Sequence, residues 1–190
     1  MMELLNICKS FNGKTVLEQF SYKFPDKGLF ALTGPSGRGK TTLLRIISRL
    51  ETPDKGIVRC ADDIAYSFQE YRLFANLTVL ENIELVSFKK ANEYEKERIR
   101  YYLKRLSLLD STHKYPNELS GGMKQRVSLI RAFVSDAKII LLDEPTKELD
   151  EALIRVVVEI IQELSQNKLV IFTAHDSENA RNYGAEVIEL

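Results

Sequence analysis

Two cysteines in 190 residues, Cys8 and Cys60, are too few for a disulfide framework, and no C-x-x-C occurs. A chain of this length needs no covalent staples, so a reduced, cytosolic protein is expected, with no role for either thiol. Net charge is lacking as well: 27 Lys and Arg balance 27 Asp and Glu. That balance leaves no overall field to hold duplex DNA or an acidic membrane, while a local anion site stays compatible with it. No apolar run reaches the roughly 18–20 residues that span a bilayer. The densest, Val156–Ile161, is broken by Glu159. The first residues, MMELLNICKSF, include Glu3 and do not form the basic and apolar regions of a secretory signal. The expectation is a domain neither secreted nor inserted, which needs a separate anchor for any work at a membrane.

What is present suits one domain. An apolar fraction of 44% and a charged fraction of 28% are ordinary for a globular protein. At this length folding should bury roughly 70% of the unfolded surface. Glu3–Lys9 and Val16–Phe24, separated by Asn12-Gly13, alternate in part and predict two strands. Pro25–Gly28 predicts a turn, Leu29–Thr33 a buried strand, Thr41–Leu50 a helix and Pro53–Gly56 the turn that ends it. Ile64–Phe68 reads as another strand.

The middle reads as helical. Thr78 and Glu81 form a capping box for a helix through about Phe88. Glu93–Leu109 is amphipathic through Ile99, Tyr102, Leu103 and Leu106, and Gly122–Ser135 predicts a third helix. Strands follow at Lys138–Leu142, Leu169–Thr173 and Glu186–Leu190, with helices at Glu151–Leu164 and Ser177–Asn182 between them. Strands alternating with helices around a helical block imply an α/β sheet carrying an inserted helical subdomain. No repeat, low-complexity tract or long linker divides the chain.

The sharpest motif is Gly34-Pro35-Ser36-Gly37-Arg38-Gly39-Lys40-Thr41, placed after a strand and before a helix. It fits G-x-x-x-x-G-K-[ST], whose glycines let consecutive N–H groups turn inward around phosphate oxygens. The following helix adds its positive end. Lys40 supplies a point charge for the β- and γ-phosphates, and the Thr41 hydroxyl is placed to ligate Mg²⁺. A bare glycine-rich turn linking strand to helix is the alternative. An apolar strand ending in Asp143-Glu144 supplies the acidic element: Asp143 for Mg²⁺, Glu144 to polarise the attacking water. Leu119-Ser120-Gly121-Gly122-Met123-Lys124-Gln125-Arg126 is a second anion site at a helix start, without a lysine in its loop.

With that segment the chain resembles the nucleotide-binding domain of ABC (ATP-binding cassette) ATPases, over almost its whole length. Gln69 in Ser67-Phe68-Gln69-Glu70 resembles the family's Q-loop. Asp143-Glu144-Pro145-Thr146 resembles the second Walker motif, Leu149-Asp150 the D-loop and His175 the switch histidine. Phe11 stands where the family has an aromatic that stacks on adenine. The resemblance implies a P-loop NTPase core, a mixed sheet flanked by helices with N-terminal antiparallel strands. It places one cassette over residues 1–190, with its helical subdomain at about 70–135.

It implies ATP and Mg²⁺ as ligands. Phe11, the loop Gly34–Thr41 with Thr42, and Ser120, Gly121 and Gly122 would hold ATP. Thr41, Gln69 and Asp143 would serve the metal, and Glu144, Gln69 and His175 catalysis. The chain departs from the pattern in places: Met123 stands where many members have Gln, Arg38 varies a position that contributes mainly backbone, and Lys147-Glu148 replaces a small pair before Leu149-Asp150.

Each chain then carries two half-sites that cannot complete each other internally. The implied species is a head-to-tail pair of cassettes, as a homodimer or a heterodimer. The leading expectation is the ATPase subunit of a membrane transporter, peripheral on the inner face of the cell membrane through a separate permease. The stretch Glu70–Ile83 resembles importers of nitrate, sulfonate and taurine, which brings in a solute-binding protein and no nucleic acid. The alternatives are a soluble ABC-type ATPase with another macromolecular partner, and an exporter subunit.

Overall fold

The alternation at the N-terminus becomes an antiparallel sheet in the computed structural model, which describes residues 2–60, 63–86 and 92–190. Strand β1 (Met2–Phe11) passes through Asn12 and Gly13, both at positive φ, into β2 (Lys14–Phe24). That is the hairpin geometry an Asn-Gly pair favours. Strand β3 (Gly28–Thr33) is buried almost throughout, and helix α1 (Lys40–Ile47) buries Leu43, Leu44, Ile46 and Ile47.

The region expected as a turn at Pro53–Gly56 instead opens a strand, β4 (Lys55–Arg59), paired antiparallel with the free edge of β1. Its Ile57 is 55% exposed. A short edge strand with an outward apolar residue carries no in–out alternation to read.

Strands β5 (Ile64–Ser67), β6 (Ile139–Leu142), β7 (Leu169–Thr173) and β8 (Glu186–Glu189) join β3 in a second sheet, ordered β5-β6-β7-β3-β8. The pairs β6·β7, β7·β3 and β3·β8 are parallel. The inner strands β6, β7 and β3 are continuous apolar runs, as expected where both faces are covered. Residues of both sheets and of α1 share one core around Phe24, Phe30, Leu44 and Leu141.

The chain divides into two compact units. One comprises residues up to Tyr66 with Ala137–Asp143 and Ile161–Leu190; the other comprises Ser67–Asp136 and Glu144–Ile160. In the second unit α2 (Val79–Glu84) and α3 (Glu93–Arg105) pack on α4 (Gly121–Phe133). The Thr78–Glu81 capping box forms as expected, and Asn92 with Glu95 forms another at the start of α3. Helix α2 ends at Glu84; the expected extension to Phe88 falls partly outside the described residues. Helix α5 (Glu151–Ser165) turns Val157, Ile160 and Ile161 inward, and α6 (Ser177–Asn182) precedes β8.

The loop before α2 is fixed by one buried amide. Asn82, fully buried, donates to the carbonyls of Phe74, Leu77 and Thr78 and accepts from the Phe74 N–H. Four bonds to one side chain hold the loop backbone rigid, while the Phe74 ring stays 53% exposed. Among the described residues, no helix is long and apolar enough to cross a membrane.

Candidate functional site

In a parallel sheet the carboxyl ends of the strands point one way, and ligands gather there. Three of the expected site segments leave that edge. The Gly34–Lys40 loop follows β3, Asp143 follows β6, and His175 lies just beyond β7, whose Thr173 is level with Leu32 of β3. The loop backbone turns through positive φ at Gly34, Gly37 and Gly39. A side chain is excluded at two of these: a Cβ would come 2.7 Å from the Leu190 carbonyl at Gly34 and 2.6 Å from the Val16 carbonyl at Gly39.

Helix α1 starts at Lys40 with no side-chain cap, which leaves its first N–H groups to oxygens from elsewhere. Lys40 is only 6% exposed. Its ammonium donates to the carbonyls of Gly34 (2.6 Å) and Pro35 (3.1 Å), so the charge sits over the loop. One residue on, Thr41 Oγ1 donates to Asp143 Oδ1 at 3.1 Å, across 102 residues of sequence. Asp143 is buried, and it also accepts from Thr173 Oγ1 (2.8 Å) and Tyr66 Oη (3.4 Å).

Hydroxyl and carboxylate oxygens are the hard donors Mg²⁺ takes, and that ion needs few of them because phosphates and water complete its shell. An uncapped helix start, a buried ammonium and a Thr–Asp pair therefore fit a magnesium-bound nucleoside triphosphate. Neither Thr173 nor Tyr66 stood out in the sequence. Their only signal is a hydroxyl near the end of an apolar strand.

Phe11 is held by a different group. It is 44% exposed, with the Lys9 ammonium 5.1 Å from its ring centre. Lys9 is tied to Glu51 (2.8 Å), Asp54 (3.2 Å) and the Thr52 carbonyl (2.8 Å). The Glu51 bond raises the Lys9 pKa, and the Ser10 N–H together with Lys9 lowers that of Asp54. Phe11 is a surface aromatic on a fixed strand end, open to stacking.

The other expected residues lie in the second unit. Glu144 has φ of 52°, the left-handed region a glutamate rarely adopts. Gln69 Nε2 donates to its Oε2 at 3.2 Å, and Nε2 of the buried Gln125, on α4, donates to its backbone carbonyl at 3.3 Å. Lys147 Nζ stands 3.9 Å from Glu144 Oε2. Both the carboxylate and the backbone of this residue are thus oriented. Gln125 escaped the sequence reading because a helical Gln gives no hint of a partner 19 residues away.

Ser120 caps α4 by accepting from the Met123 N–H at 3.3 Å, and Arg126 Nε donates to the Gly122 carbonyl at 3.1 Å. Against Gly121 and Gly122 lies Glu148. Its Oε2 accepts from Tyr71 Oη at 2.6 Å, a bond that raises the phenol pKa above its usual value.

Comparison with known proteins identifies the arrangement. The ABC transporter family profile matches residues 17–147. The spermidine/putrescine import ATP-binding protein PotA of Marinobacter nauticus is 34% identical over 205 residues, covering 100% of this chain and 55% of that protein. The chain thus spans about half the length of that relative. The L-cystine transport system ATP-binding protein TcyN of Escherichia coli is 33% identical, covering 98% of this chain and 85% of its own length. Among solved structures, the dimeric bacterial ABC transporter cassette MJ0796 superposes with a TM-score of 0.88 at 31% identity, over 100% of this chain and 94% of that one. The post-hydrolysis state of the same cassette, bound to ADP and Pi, superposes at 0.89 with 29% identity. With the P-loop fold, the Thr41–Asp143 pair and these likenesses together, the chain belongs to the ABC transporter family, as an ATP-binding cassette.

Proposed function

We propose that the chain is the ATP-hydrolysing subunit of a solute importer, acting with a separate permease from the cytoplasmic face of the membrane. The observation that carries the nucleotide side of this reading is the 3.1 Å Thr41–Asp143 bond at the foot of an uncapped α1. In it, residues Gly34–Thr42 and Phe11 bind ATP, and Lys40 meets the β- and γ-phosphates. Thr41, Asp143 and Gln69 serve the Mg²⁺, which when bound offsets charge on the phosphate oxygens. Glu144 takes the proton of the attacking water, Gln69 orients it and His175 holds the γ-phosphate.

Ser120, Gly121 and Gly122 of a second cassette, identical or different, close over the γ-phosphate. Closing and opening of the pair, driven by unequal affinity for ATP and ADP, does the work. The domain reading proposed with it is one cassette over 1–190, its helical subdomain at about 70–135. Import is supported by the names of the relatives, which are import or transport ATP-binding proteins; a solute-binding protein belongs to that arrangement.

The permease contact is proposed on the Gln69–Thr78 stretch. Of the large side chains there, Tyr71, Leu73 and Leu77 are half-buried and Tyr71 is engaged by Glu148. Phe74 is the exposed one, on a backbone that Asn82 fixes. A rigidly presented aromatic is the usual anchor of a helix-in-groove contact, often worth ≥ ~2 kcal/mol. Phe74→Ala is therefore expected to leave folding, ATP binding and ATPase activity of the isolated chain unchanged, while co-purification with the permease in detergent falls by at least about 30-fold. Undiminished co-purification would place the docking surface elsewhere.

A further inference from the structure

The pair Lys147-Glu148 departs from the small residues usual before Leu149-Asp150, and the structure gives Glu148 a definite place. Its carboxylate lies so close to Gly121 that a Cβ on that glycine would overlap Glu148 Oε2, and a Cβ on Gly122 would come 2.5 Å from the Glu148 carbonyl. Tyr71 Oη donates to the same carboxylate oxygen at 2.6 Å and would lie 3.1 Å from the Gly121 Cβ. An exposed glutamate is thus pinned across the first two residues of α4.

Those residues begin a 13-residue helix whose N–H groups favour an anion. Under the reading proposed above, that anion is the γ-phosphate carried by the second cassette. We propose that Glu148 is the residue that sets how tightly this signature takes the partner's nucleotide. Its fixed negative charge competes for the α4 N-terminus and repels the γ-phosphate. Closure then requires the Glu148 carboxylate to swing off Gly121 and release Tyr71, or to be tolerated at an electrostatic cost. A small residue at position 148 would impose neither. Because Tyr71 lies two residues from Gln69, release of Glu148 also frees the segment that carries the Glu144-orienting amide.

The inference rests on the sandwich reading, and the test separates the two. In a Glu144→Gln background, which traps the ATP-bound pair, the ATP concentration for half-maximal dimerisation is measured by light scattering, with and without Glu148→Gln. The amide keeps a carbonyl to accept from Tyr71 and removes only the charge. The expected result is a midpoint lowered roughly fivefold or more, the weight of one unit-charge contact at 4 Å in water-like surroundings. The gap between the two proteins should narrow as salt rises. Glu148→Ala, at an exposed position outside the core, should shift the midpoint the same way. An unchanged or raised midpoint in both variants overturns the role of Glu148. Failure of the parent Glu144→Gln protein to dimerise overturns pairing between identical copies instead.

Discussion

Glu144→Gln should bind ATP as the parent does and hydrolyse it roughly 10²–10⁴ times more slowly, the usual worth of a positioned base. The substitution is conservative where the structure is demanding. Gln69 Nε2 can donate to the new amide carbonyl as it does to Oε2, and the Gln125 bond reaches the backbone, which does not change. The left-handed φ of 52° is imposed on either side chain alike. What disappears is the ability to take a proton from water. With hydrolysis stalled, the closed pair persists, so size-exclusion chromatography in ATP should show a dimer where the parent runs as a monomer. Normal turnover by this variant would make Glu144 a structural carboxylate. Slow turnover with no dimer would favour a different cassette as the partner.

Lys40→Ala should weaken ATP binding by about one to two decades, from loss of charge-assisted contacts worth ~1.5–3 kcal/mol. Lys40 also ties together the loop it leaves, through the Gly34 and Pro35 carbonyls. Alanine therefore removes both the phosphate charge and a brace on the loop, and turnover should fall with affinity. Fluorescent-nucleotide titration measures the first and phosphate release the second. Unchanged affinity and turnover would exclude this loop as the phosphate site.

The parts legible in the sequence are those written locally. The phosphate loop is eight consecutive residues, the Thr78–Glu81 cap spans four, and the inner strands are unbroken apolar runs. β4 was hidden because an edge strand with Ile57 outward shows no alternation. The partners of the site residues were hidden for another reason. Thr173 on Asp143, Gln125 on Glu144 and Tyr71 on Glu148 join positions 30, 19 and 77 residues apart, and nothing in a single sequence marks such pairs. The oddity of Lys147-Glu148 was visible, but its contact with Gly121 and Gly122 appears only once α4 is in place.

The claim most exposed to a direct check is that one chain holds two incomplete half-sites. ATPase rate per chain, measured against protein concentration at saturating ATP, tests it. The account predicts a rate per chain that rises with concentration and levels off as the pairs form. A rate per chain that stays constant down to high dilution, with the protein monomeric throughout, would contradict it.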